Sequence, residues 1–154
     1  MAQSSAVSTW NRSSKVIRLT PQQLGRITRH LEAAYPNEGC GLLVGTGRDN
    51  VAVTRVAAAP NVTSEDATIR FEVDPKFQFD LMRELEGSSE RIVGHFHSHP
   101  DGSPIPSERD KKMALDKELI WLIVAVEKGK AGTPQAYAVE EEEKDFQPIP
   151  LIIE

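Results

Sequence analysis

Hydrophobic and polar positions along the chain divide it into short elements. Lys15 to Leu19 alternates, which predicts a strand. Thr20-Pro21-Gln22-Gln23 follows as a helix start: threonine can cap, proline suits the first turn, and Gln23 completes a capping box. Leu24, Ile27, Leu31 and Ala34 then share one helical face, and Pro36 ends the helix. Gly41 to Val44 and Val51 to Ala57 read as strands joined by a glycine-containing turn, Pro60 to Asp66 as a polar loop, and Thr68 to Val73 as another strand. Asp74-Pro75 opens a second helix with Phe77, Leu81 and Leu85 in phase and Gly87 as its stop. Arg91 to His99 is a strand. Pro100 to Pro106, with three prolines and Gly102, is a stiff loop, and Ser107 to Asp116 is a third helix. Leu119 to Val126 is continuously apolar, the pattern of a central strand buried on both faces. Gln135 to Glu140 and Phe146 to Ile153 complete the set, with Pro148 and Pro150 pushing the last strand to an edge. Strands and helices alternate irregularly with no internal repeat. The expected fold class is therefore α/β, a single domain with a mixed sheet and flanking helices over residues 15–154.

Composition narrows the function. The 154 residues suit one domain with a real core, and the eight-residue apolar run 119–126 is far short of the roughly 20 needed to span a membrane. One cysteine, Cys40, excludes an intramolecular disulfide framework and a cysteine-rich zinc module. The net charge is −5, and the last fifteen residues, with the acidic run 140–145, carry all of the imbalance. The rest is electrically balanced and offers no phosphate-binding surface, so nucleic acid is not an expected partner. Residues 1–14 are serine-rich, without an apolar segment of the secretory kind. They read as a disordered tail, and the expected compartment is the cytoplasm.

Three of the four histidines stand at alternate positions in Gly94-His95-Phe96-His97-Ser98-His99-Pro100. On a strand they face one way, with neighbours roughly 6.5–7 Å apart along the backbone, close enough for two imidazoles to converge on one ion. Past the stiff loop, Ser107 and Asp110 have helix-start spacing, and a first-turn carboxylate points back toward the end of the preceding strand. Asp110 ranks ahead of His95 as a third ligand, because three successive same-face strand positions would span about 13 Å, awkward for one tetrahedral ion. Two histidines and one carboxylate leave a zinc position open, the layout of a catalytic site. Cys40 could be read as a thiol nucleophile, but Gly39-Cys40-Gly41-Leu42-Leu43 fits a close-packed strand in which cysteine is a small hydrophobe.

These residues resemble the JAMM (MPN+) metalloprotease family. Its pattern is an upstream glutamate, then His-x-His, seven residues, Ser, two residues and Asp. Here His97-Ser98-His99, Pro100 to Pro106, Ser107 and Asp110 match it, and Glu38 stands at the glutamate position. The likeness spans roughly residues 20–126 and is greatest to short bacterial members, including the stretch around Asn61, Phe71, Asp74 and Pro75. The resemblance implies a curved mixed sheet akin to the cytidine deaminase fold. It implies one Zn2+ per chain on His97, His99 and Asp110, with Glu38 as general base for a zinc-activated water and Ser107 as oxyanion donor. It further implies a substrate that is a ubiquitin-like or sulfur-carrier protein with a Gly-Gly C-terminus, cleaved at the adjacent peptide or isopeptide bond. The long insertions of chain-selective eukaryotic relatives have no counterpart here, which argues against a polyubiquitin-specific role. The alternative is a catalytically silent module of the same fold that binds zinc or a protein partner.

Overall fold

Thr20 caps the first helix as its sequence requires: its hydroxyl accepts from Gln23 N while its own N–H donates to the Gln23 side chain. That helix and the strands around it come from a computed structural model, which describes residues 14–113, 118–140 and 145–154. The elements are β1 (Val16–Leu19), α1 (Pro21–Ala34), β2 (Cys40–Thr46), β3 (Asn50–Ala59), α2 (Pro75–Glu84), β4 (Arg91–Pro100), α3 (Glu108–Met113), β5 (Ile120–Glu127), β6 (Lys130–Ala131), β7 (Gln135–Glu140), β8 (Asp145–Ile149) and β9 (Leu151–Ile153). The expected tail 1–14 lies, apart from Ser14, outside the described residues, as do positions 114–116 of the third helix and 141–144 of the acidic run.

All strands join one mixed sheet in the order β8-β7-β5-β4-β2-β3-β1-β9, with β6 beside β5. β4 and β5 are parallel, as are β1 with β3 and β1 with β9; the remaining pairs are antiparallel. The sheet curves until it is nearly closed, because its terminal strands β8 and β9 are separated in the chain only by Pro150. The carbonyl of Pro150 accepts from Ile17 N at 3.1 Å.

Alternation sorts the core into two sides. Ile27 and Leu31 of α1 pack with Ile17, Leu43, Phe96, Leu122 and Val124 on one face. The other face carries Leu42, Val44 and Ala57 beneath Leu81 and Leu85, and a separate cluster of Trp121, Ile123, Tyr137, Val139 and Phe146. β5 thus feeds both faces, as its unbroken apolar run implies. Gly41 opposes Phe96 across β2 and β4, and a Cβ there would lie 2.3 Å from the Phe96 ring, so only glycine lets that ring cross the strand. No helix among the described residues is long and apolar enough to cross a membrane.

Two expectations need correction, and one hairpin was not foreseen. Thr68 to Val73 is not a strand: residues 67–69 form a turn, and only Val73 makes an isolated bridge, to Asn61. Side chains satisfy this segment instead, since Asp66 accepts from Thr68 N, and Asn61 takes the Arg70 carbonyl and the Glu72 amide. Phe146 to Ile153 is two strands rather than one, and they lie on opposite edges of the sheet, broken at Pro150. The β5–β6 hairpin was not expected. Its turn, Lys128-Gly129, has positive φ at both central residues, the pattern of a type I′ turn.

Candidate active site

Alternation along β4 puts His95 and His97 on the side of Trp121 and sends Phe96 into the α1 side of the core. At the carboxyl end of β4 the chain turns through Asp101, whose N–H donates to Val126 O and whose carboxylate accepts from Lys128 N at 2.9 Å and Tyr35 OH at 2.7 Å. The proline-rich loop then delivers Ser107 to the start of α3. Ser107 Oγ accepts from Asp110 N at 3.0 Å, and Ser107 N donates to Asp110 Oδ2 at 2.9 Å. These reciprocal bonds cap the helix and fix the Asp110 carboxylate, which is buried.

Three electron-pair donors meet there. His97 Nε2 lies 3.1 Å from His99 Nε2 and 3.3 Å from Asp110 Oδ2, and His99 Nε2 lies 3.0 Å from the same oxygen. Donors about 2.0–2.1 Å from a tetrahedral zinc stand about 3.3 Å from one another, so this triangle has the size of one face of such a site. The tautomer also fits. His99 Nδ1 donates to Ser103 O at 2.7 Å, so Nε2, which shares a proton with Asp110 in the metal-free chain, is the nitrogen an ion would take. His97, His99 and Asp110 are the one group of such side chains close enough to share an ion among the described residues.

The chain matches the family described as prokaryotic homologs of the JAB domain over residues 20–140. The chain belongs to this family, that of the JAMM-type peptidases. Among curated relatives, a desampylase of Haloferax volcanii is 36% identical over 90 residues, covering 57% of this chain and 62% of the relative. A desampylase of Pyrococcus furiosus is 29% identical over 151 residues, 98% of this chain and 99% of the relative. A probable TtuB-protein conjugate cleaving protease of Thermus thermophilus is 34% identical over 64% of each chain. Among solved structures, a Desulfitobacterium hafniense protein, 29% identical, superposes with TM-score 0.77 over 90% of this chain and 92% of that one. A JAB1/MPN domain protein of Archaeoglobus fulgidus, 18% identical, shares the fold at TM-score 0.54 over 90% and 98%.

Electrostatics in this JAB-family site separate the titratable groups. Burial pushes the Glu38 carboxyl up to about 7, with the His99 charge opposing and the Asp110 charge assisting. Burial opposes ionisation of Asp110 too, but hydrogen bonds from His97 and His99 hold it well below the usual carboxylate range. Burial lowers His97, which stays neutral. For His99, burial is outweighed by the Asp110 and Ser103 hydrogen bonds, which raise it. Glu38 precedes β2, and the next residue is tied to the histidine strand: Gly39 N donates to Ser98 Oγ at 2.8 Å and Gly39 O accepts from Ser98 N at 3.1 Å.

His95 is not among the converging side chains. Its ring lies 6.0 Å behind that of His97, between Phe71 at 5.8 Å and Trp121 at 4.1 Å, and burial pushes it down to about 3. Cys40 is fully buried with its thiol toward the Ala59 and Pro60 carbonyls, and burial pushes it up to about 12, far from a thiolate nucleophile. Of three supporting residues, Tyr137 escapes sequence reasoning and Phe71 and Asn61 enter it only within the family likeness, with no role attached. Phe71 stacks on His97 with ring centroids 4.4 Å apart, Tyr137 OH donates to Pro104 O at 2.7 Å, and Asn61 bonds the backbone of Glu38. Each reaches the site through contacts distant in sequence, with no local periodicity to announce them.

Proposed function

We propose that this chain is a zinc metallopeptidase that hydrolyses the peptide or isopeptide bond following the C-terminal tail of a ubiquitin-like or sulfur-carrier protein. The observation that carries the reading is the donor triangle of His97, His99 and Asp110 with a buried carboxyl, poised near neutrality, feeling its charges. The chemistry of the donor set suits Zn2+, which when bound would polarise the scissile carbonyl and acidify the attacking water.

The chain's own residues supply the remaining steps. Glu38 takes the proton of the attacking water and delivers it to the leaving amine, a task suited to a group whose pKa lies near the working pH. Ser107 uses its oxygen to cap α3, which leaves its O–H to donate to the oxyanion that develops at the scissile carbonyl. The curated relatives, named for desampylation and for cleavage of TtuB–protein conjugates, support the substrate class. The extended tail of the carrier is proposed to lie beside loops 60–66 and 100–106, with its Gly-Gly end reaching the cluster.

The test uses carrier fusions carrying a Gly-Gly junction, with products read by mass spectrometry. Cleavage is expected with zinc, stops on chelation, and returns on adding zinc. Glu38→Gln keeps stoichiometric zinc and loses about 10²–10⁴-fold in kcat. Full activity in Glu38→Gln, or zinc-loaded protein that cleaves no carrier fusion, defeats the reading and leaves a silent binding module.

A further inference from the structure

Glu38 sits in the short connection between α1 and β2, where no ladder holds its backbone. Both of its main-chain polar groups are nevertheless bonded, and both to the same loop. Glu38 N donates to Ala67 O at 2.7 Å, and Glu38 O accepts from Asn61 Nδ2 at 3.0 Å. The Asn61 amide is saturated. Its nitrogen also donates to Arg70 O at 2.8 Å, and its oxygen accepts from Thr63 N at 3.1 Å and Glu72 N at 3.0 Å. Two carbonyls on one side and two N–H groups on the other admit a single orientation of the amide. Neither aspartate nor a hydroxyl residue can satisfy all four.

The same four bonds shape the 61–72 loop, and between Arg70 and Glu72 that loop carries Phe71, whose ring stacks on His97. The neighbouring residue Gly39 is pinned to Ser98, which lies between the two histidines. Glu38 is therefore held from two directions: from the 61–72 loop by Asn61 and Ala67, and from the histidine strand through Gly39.

We infer that Asn61 is a positioning residue whose carboxamide fixes the backbone of Glu38, and with it the general base, relative to the histidine–aspartate cluster. The inference rests on the metallopeptidase reading for its catalytic meaning but not for its geometry. The Asn61 carboxamide is taken up by four backbone groups of this chain and is not one of the three converging donors. Its loss frees the Glu38 carbonyl and loosens the loop while leaving the three donors in place.

The test compares Asn61→Asp and Asn61→Ala with the unmodified full-length protein. Asn61→Asp keeps shape and both accepted bonds but cannot donate to Glu38 O or Arg70 O. Backbone amide exchange is read first, with no substrate present. The Glu38 amide is expected to exchange about tenfold faster or more in both variants while the β4 amides of Val93 and Phe96 keep their protection. Zinc affinity, measured by competition with a chelating dye, stays within about threefold of the unmodified protein, against the roughly 10–100-fold typical when a partner of a ligand is lost. On a Gly-Gly carrier fusion, kcat falls about 10–100-fold with KM nearly unchanged. Unchanged exchange at Glu38 overturns the inference. So does exchange raised across the whole sheet, or zinc affinity lost in step with activity, because either makes Asn61 only a residue of the fold. If the unmodified protein cleaves no fusion, the functional reading falls, and selective exchange at Glu38 still decides the positioning role.

Discussion

Burial keeps His95 and His97 neutral in the folded chain, and this makes the metal-free protein sensitive to acid. A histidine held down to about 3 when folded, against 6.5 when exposed, gives the unfolded state an extra proton across that window. Stability is therefore fully present above about 6.5 and declines as pH falls toward 3. The slope is about 1.4 kcal/mol per pH unit for each such group. Glu38 works in the opposite sense: pushed up from 4.5 to about 7, it holds its proton in the folded chain, so its contribution declines as pH rises through that range. Replacing His95 by phenylalanine keeps an aromatic ring between Phe71 and Trp121 and removes one proton site. Urea unfolding of the metal-free proteins is expected to show the wild type losing about 2 kcal/mol relative to His95→Phe between pH 7 and pH 5. Parallel slopes would refute the buried neutral state. At this scale the cluster was legible in sequence because strand alternation and helix-cap spacing are local rules, and they bring His97, His99 and Asp110 together. Asn61 and Phe71 were legible only as part of a likeness, since their partners lie across folded distance.

Helices and most strands were equally readable, because Thr20, Asp74 and Ser107 cap their helices by contacts within three residues. Thr68 to Val73 misled because its strand-like composition is overridden by Asn61 and Asp66, whose side chains take the backbone groups a ladder would need. The stiff 100–106 loop depends on an anchor as well as on its prolines. Tyr137 of β7 donates to Pro104 O, one residue from Ser103, whose carbonyl orients His99. Tyr137→Phe removes that hydrogen bond. It is expected to cost about 1 kcal/mol in unfolding free energy and to weaken zinc binding by roughly tenfold in a competition titration. Unaltered zinc affinity would show that the prolines alone hold the loop.

For the molecule as a whole, an ion held at the proposed site would couple its binding to folding, because the three side chains come from β4 and from the first turn of α3 and meet only in the folded chain. Zinc at about 100 times its dissociation constant should add about 2.7 kcal/mol to stability. Calorimetry is expected to show this as a rise in Tm for the wild type that is lost in Asp110→Asn; an equal rise in both would place the ion elsewhere. The curvature of the sheet carries a separate consequence. Its two outermost strands, one against β7 and one against β1, are consecutive in the chain with only Pro150 between them. Neither rim can peel far without tugging on the other, so fraying at one border is mechanically transmitted to the opposite one, and the two borders behave as the halves of a single clasp.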